Sequence, residues 1–260
     1  MGWAIDLDGV MWLGDEPIDG SAEAVQQLRE QGEPVLFVTN NSSVPAADVA
    51  ARLTAMGIDA TGSVVTSADA AATLVTAGER VLVCAGPGVV AALADRGAET
   101  VSDREADSSE RVDAVIVGFT RTFDFEMLAA ATKAVRAGAR LIGTNDDATY
   151  PTPEGQLPGG GAILAAVATA SGVVPVVAGK PHRPLVDIVR ARLGAEGTMV
   201  GDRPDTDGKF ARALDYRFGL VWSGVTDAES VVDPRPDLAA PDLALLVRLA
   251  TDRDLERPAL

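Results

Sequence analysis

Short apolar runs alternate with helix-patterned segments along almost the whole chain, and this alternation limits the fold more than any other feature. "WAIDL" at 3–7 reads as a strand, and "SAEAVQQLREQG" at 21–32 reads as a helix. Ser21 is its expected cap, Val25 and Leu28 share one face, and Gly32 is its stop. "PVLFVTN" at 34–40 is a strand running into polar residues; "PAADVAARLTAMG" at 45–57 is a helix opened by Pro45 and closed by Gly57. A further strand–helix pair is expected in "VVTSADAAATLVTAG" at 64–78. The pattern continues through "RVLVCAG", a helix over 89–93, "DAVIVGF", a helix over 125–135 and "ARLIGTN". It closes with "VVPVVAGK", a helix over 185–193, "TMVGD", a helix over 209–214, "RFGLVWSG" and a last helix in "PDLALLVRLATD". Strands that alternate with helices form a parallel sheet covered on both faces, a doubly wound α/β fold.

In such sheets ligands bind beyond the C-terminal ends of the strands, so the strand exits carry the functional information. The first strand exits into Asp6-Leu7-Asp8 and the second into Thr39-Asn40-Asn41-Ser42. A later one exits into Gly179-Lys180-Pro181, and another into Gly201-Asp202, with Asp207 close behind. Asp6 and Asp8 interrupt what is otherwise a buried apolar strand. Carboxylates taken out of water must be compensated or neutralised, so this pair needs a purpose.

Composition removes several classes. A formal net charge of -16 argues against nucleic acid as a partner, because phosphate backbones are bound by basic surface. A single cysteine, Cys84, leaves no disulfide framework and no cysteine-built metal site within the chain. The N-terminus lacks a basic n-region, and Asp6 and Asp8 fall where a signal peptide is apolar. The uncharged stretch 155–179 is long enough to suggest a membrane span, but Pro158, Gly159-Gly160-Gly161, Gly172 and Pro175 break it. It reads as loop, Ala-rich helix, turn and strand, and the chain as a cytoplasmic protein without membrane association.

The four exits, "DLDGV", "TNNSS", "GKP" and "GDRPDTD" in that order, resemble the four motifs of the haloacid dehalogenase superfamily of phosphohydrolases. The chain is most similar to the subfamily that includes NagD, phosphoglycolate phosphatase and pyridoxal phosphate phosphatase. "GTNDDATYP", "PGGGAI" and the closing "SGVT" extend the similarity along most of the chain. The resemblance implies a magnesium-dependent phosphomonoester phosphatase with Asp6 as the nucleophile that forms an aspartyl-phosphate. Carboxylates are established covalent nucleophiles toward phosphorus. Asp8 would protonate the leaving oxygen and then draw a proton from the attacking water. Asp6, Asp202 and the backbone carbonyl of Asp8 would bind Mg2+, and Asp207 would support it through metal-bound water. Thr39 and Lys180 would grip the phosphoryl oxygens, with Asn40 beside them. Two like charges ~4 Å apart repel by roughly 4 kcal/mol at an effective dielectric near 20, so converging carboxylates call for a cation. All-oxygen ligands suit magnesium, whereas zinc favours histidine or cysteine.

Other candidates are weaker. His182 is the only histidine, so histidine-dependent phosphatase mechanisms have almost no material; it sits two residues from Lys180 and its role is left open. Cys84 lacks the arginine six residues on that a cysteine phosphatase loop needs, and reads as a core thiol. "GPG" at 86–88 reads as a turn, since no GxGxxG follows.

Between Thr39 and Lys180 the chain spends well over a hundred residues, more than neighbouring site loops of one domain require. Residues 79–173 have their own strand–helix alternation and are expected to form an inserted α/β domain, with 1–78 and 174–260 as the core. In the resembling subfamily this insert is a cap that holds substrate-specificity residues. That points to the polar loop at 144–161, with Asn145, Asp146, Asp147 and Tyr150 as candidates for substrate binding. Many relatives carry an aspartate after "VGF"; here it is Thr120. The expected partner is a small phosphorylated metabolite, and a homodimer through the cap is left open. Two alternatives stand beside the phosphatase. One is a phosphotransferase or mutase that uses the same aspartyl-phosphate. The other is a non-catalytic protein that binds or accepts phosphate.

Overall fold

The computed structural model describes residues 1–102, 111–152 and 155–255. The chain divides into two compact units: Met1–Thr39, Ala50–Val64 and Val186–Leu260 form the first, Asn40–Val49 and Val65–Leu185 the second.

The first unit is built on a sheet whose strand order is Leu238–Ala240, Arg217–Val221, Gly197–Gly201, Gly2–Ile5 and Val35–Thr39. The pairings from Leu238–Ala240 across to Val35–Thr39 are parallel, with Ile5 opposite Val200 on one side and Phe37 on the other. Gly2–Ile5 is buried along its whole length, as expected for a strand with neighbours on both edges and helices on both faces. The chain starts in the middle, winds outward through Val35–Thr39, and returns to fill the other side from Gly197–Gly201 onward. The order therefore reverses between Gly2–Ile5 and Gly197–Gly201, and the crevice at such a switch point is where ligands bind. Trp3, Ile5, Phe37, Met199, Phe210 and Phe218 fill the core on the two faces.

The helix Ser21–Glu30 buries Ala24, Val25 and Leu28, the face expected from their spacing. Its cap differs from expectation: Gly20 is the N-cap, and Ser21 lies inside the first turn, fully buried. The Ser21 hydroxyl donates to the Val10 carbonyl at 2.8 Å, tying the helix to the loop after the first strand.

The second unit has a parallel sheet in the order Val176–Val177, Arg140–Gly143, Ala114–Val117, Arg80–Cys84 and Glu99–Val101. Helices Phe125–Arg136 and Gly160–Ser171 pack against it around Leu82, Cys84, Val115, Val117, Leu141, Leu164 and Val167. Cys84 is thus a core thiol on a strand. The uncharged stretch supplies the 12-residue helix Gly160–Ser171. At about 1.5 Å per residue, that helix is far shorter than a bilayer core. Among the described residues no helix is long and apolar enough to cross a membrane. Where the sequence reads as loop, Thr149–Thr152 and Gly155–Pro158 pair as an antiparallel hairpin. "GPG" forms the start of a helix, with Gly86 as N-cap and Pro87 at its first position.

Candidate active site

In the first unit, three carboxylates converge at the switch point. Asp6 follows the Gly2–Ile5 strand, and its N–H continues the ladder by donating to the Val200 carbonyl at 2.9 Å. The Leu7 N–H donates to Asp6 Oδ1 at 2.8 Å, which orients the carboxylate. Asp202 follows Gly197–Gly201, and Asp207 lies in a single π-helical turn, Pro204–Gly208, that re-aims the chain directly after that strand. Asp207 Oδ2 accepts the Arg203 N–H at 3.1 Å. One oxygen from each of Asp6, Asp202 and Asp207 lies within 4.8 Å of the other two, and all three residues are buried.

Asp202 is held from a distant part of the sequence. Its Oδ2 accepts the Val225 N–H at 2.7 Å, and its backbone carbonyl accepts the Thr226 hydroxyl at 2.5 Å. The segment 223–226 can approach this closely because two residues beside Asp202 have no side chain. A Cβ on Gly224 would lie 2.0 Å from Asp202 Oδ2, and one on Gly9 2.4 Å from it, with Gly9 also at φ +79. Gly224→Ala is therefore expected to push the Asp202 carboxylate aside. Metal affinity should fall by about 10–100-fold, as for loss of a ligand's supporting contact. Titration with Mn2+ checks this, and an unchanged affinity would show that Asp202 does not need that position.

Asp8 stands apart from the three. It is exposed, and its Oδ1 accepts the indole N–H of Trp12 at 2.9 Å. The Arg52 guanidinium lies 4.0 Å above the Trp12 ring and donates to the Gly14 carbonyl, which steadies the turn that carries Asp8. Sequence reasoning missed Trp12 and Arg52. Thr39 ends the neighbouring strand and is 2 % exposed.

The second unit holds the remaining candidates. Lys180, 2 % exposed, follows Val176–Val177, and a lysine buried this deeply needs partners for its charge. The Asn40 carboxamide meets both the backbone of Lys180 and the carboxylate of Asp147. Asn145 is buried and donates to the Asn40 carbonyl at 2.9 Å. His182 Nε2 lies 2.9 Å from Asp146 Oδ2. Tyr150, half-buried, sets its ring edge-to-face with Phe119 at 5.0 Å and accepts a 3.2 Å hydrogen bond from Arg121. Phe119 and Arg121 were also missed, since only the fold brings them beside Tyr150.

A cation fits the first unit's cluster. Three buried carboxylates at this spacing repel one another by about 4 kcal/mol per pair even at an effective dielectric near 20. The donors are all oxygen, with no histidine or cysteine among them, which is a set for a hard ion such as magnesium.

Profiles described as haloacid dehalogenase-like hydrolase and HAD-hydrolase-like match residues 3–99 and 177–246. The chain is 39% identical over 236 residues to an acid sugar phosphatase of Staphylococcus saprophyticus, covering 88% of this chain and 89% of that one. The chain belongs to the haloacid dehalogenase superfamily. A D-glycerol 3-phosphate phosphatase of Mycobacterium tuberculosis is 40% identical over 238 residues, covering 89% of this chain and 65% of that longer protein. A crystal structure of glycerol phosphate phosphatase from the same organism, in complex with magnesium, superposes with a TM-score of 0.84 at 37% identity. That match covers 95% of this chain and 77% of the other. This haloacid dehalogenase-like protein is a phosphoric monoester hydrolase of the NagD-like branch, and its carboxylate cluster could hold a magnesium ion.

Proposed function

We propose that this haloacid dehalogenase-like phosphatase hydrolyses sugar or polyol phosphates through an aspartyl-phosphate on Asp6. The reading is carried by one observation: Asp6, Asp202 and Asp207 converge, buried, at the strand ends flanking the switch point. The Asp6 carboxylate oxygen attacks phosphorus, the phosphorus–oxygen bond to the leaving group breaks, and Asp8 delivers a proton to that oxygen. Asp8 then takes a proton from water, water attacks the same phosphorus, and phosphate departs as Asp6 is regenerated. Trp12 fixes the direction of the Asp8 carboxylate through this exchange. Thr39 and Lys180 serve as the groups that hold the phosphoryl oxygens, which is most of what phosphoryl transfer asks of a protein. Asp6, Asp202 and the Asp8 carbonyl would hold magnesium, with Asp207 behind them; the ion supplies counter-charge to the carboxylates and to the phosphoryl group. A cytoplasmic location and a homodimer through the inserted unit belong to the same proposal.

The substrate class rests on the relatives named for sugar and glycerol phosphates and on the polar, tyrosine-bearing loop of the second unit. A panel of sugar phosphates, glycerol phosphates, phosphoglycolate, pyridoxal phosphate and nucleotides, assayed with magnesium, tests it. Sugar or polyol phosphates are expected to give the highest kcat/KM, with inorganic phosphate released into water. Transfer to an added polyol without free phosphate would overturn hydrolysis in favour of phosphotransfer.

Tyr150 offers such substrates a ring face and a hydroxyl already oriented by Phe119 and Arg121. Tyr150→Ala is expected to reorder the panel by kcat/KM while changing a small activated aryl phosphate least. A uniform fall across all substrates would instead assign Tyr150 to folding of the loop.

A further inference from the structure

The half-buried Asn40 carboxamide makes three hydrogen bonds to the protein. Its Oδ1 accepts the Lys180 N–H at 2.7 Å. Its Nδ2 donates to the Lys180 carbonyl at 3.2 Å and to Asp147 Oδ2 at 3.0 Å. Both sides of the lysine's main chain are thus clamped by one planar group, and the same group reaches the loop that carries Asp147. The Asn40 backbone is held too: its carbonyl accepts the Ser67 hydroxyl at 2.6 Å and the Asn145 Nδ2 at 2.9 Å. Asn145 Oδ1 in turn accepts the Asp147 N–H at 3.2 Å. The clamp needs room. A Cβ on Gly179 would stand 2.5 Å from Asn40 Oδ1 and 2.6 Å from the Thr144 carbonyl, so only glycine lets the carboxamide reach Lys180.

A carboxamide has two donors and one acceptor oxygen. Here both donors are spent on the protein, and the oxygen already accepts one hydrogen bond from it. This chemistry does not suit a side chain reserved for substrate, the role the sequence suggests for Asn40. We propose that Asn40 is a positioning residue that acts through Lys180: it fixes the lysine's backbone and locks it to Asp147, so that the phosphoryl-gripping lysine and the specificity loop are set as one piece. The inference rests on the phosphatase reading above, which gives Lys180 its task. In a part-buried polar node a lost hydrogen bond leaves its partner poorly satisfied, so small changes at Asn40 spread to both neighbours.

The test is a reciprocal exchange. Asn40→Asp keeps the shape and the acceptor for the Lys180 N–H, but it removes the donor to the Lys180 carbonyl and sets a second carboxylate against Asp147. Hydrolysis of an activated aryl phosphate is expected to fall by about a hundredfold, the size of effect that a 1 Å misplacement brings. Combining Asn40→Asp with Asp147→Asn re-forms that hydrogen bond with donor and acceptor reversed, and is expected to recover at least about tenfold of the loss. Mn2+ affinity of the double variant should match that of the wild type, since the three-carboxylate cluster is untouched, and a cooperative unfolding transition shows that it folds. No recovery in a double variant that folds and binds Mn2+ would overturn the proposal, as would wild-type activity in Asn40→Asp alone. Lys180→Ala separates this outcome from failure of the phosphatase reading. If that variant keeps full activity, the lysine has no task and the reading itself falls. If it is inactive and the exchange shows no recovery, only the role of Asn40 is lost.

Discussion

Replacement of Asp6 by asparagine is expected to lower turnover by at least about a thousandfold, the scale on which enzymes lose their nucleophile. The substitution changes little else. An asparagine oxygen can accept the Leu7 N–H as Asp6 Oδ1 does, and the Asp6 N–H still completes the ladder to Val200. The unfolding midpoint should therefore stay near that of the wild type. The proposed nucleophile is lost, because an amide is far too weak to attack phosphorus. Activity above a few per cent, in protein freshly purified and free of deamidation, would remove Asp6 from that role.

Removal of the metal is the second large effect. With no cation the buried carboxylates of Asp6, Asp202 and Asp207 repel one another. Chelation is expected to stop hydrolysis completely, and magnesium to restore it. Calcium should bind yet support turnover poorly, since its looser and larger coordination misplaces the nucleophile. Asp202→Ala should raise the magnesium requirement by more than about a hundredfold, beyond the loss seen when only a supporting contact is removed. The change also removes the acceptor of the Val225 N–H, while the Thr226 hydroxyl still bonds the backbone carbonyl of residue 202, so the unfolding midpoint is measured alongside. Full activity in metal-free buffer, or an unchanged magnesium dependence in Asp202→Ala, would contradict the assignment.

The parts of this protein that are legible in its sequence are those with short-range signals. Asp6, Thr39 and Asp202 each end or directly follow an apolar strand, so local pattern alone places them at strand exits. The major helices follow from the spacing of residues such as Val25 and Leu28. The edge strand Glu99–Val101 is not legible, because two of its three residues are exposed and it carries no apolar run. The antiparallel pairing of Thr149–Thr152 with Gly155–Pro158 hides behind prolines and glycine, which usually mark loops. The π-helical turn that aims Asp207 has no sequence signature at all. Ser21 looks like a helix cap because serine favours caps, but burial against Val10 decided otherwise. The contacts that give Asn40 its role span 107 and 140 residues of sequence, and only the folded chain brings those groups together.

Whether Asp6 forms a covalent intermediate is tested most directly by the stereochemical course at phosphorus, followed with a phosphate ester made chiral by sulfur and isotopic oxygen. Attack by Asp6 and then by water inverts phosphorus twice, so net retention of configuration is expected. Net inversion would mean that water attacks the ester in a single step, and would contradict the assignment of Asp6 as nucleophile.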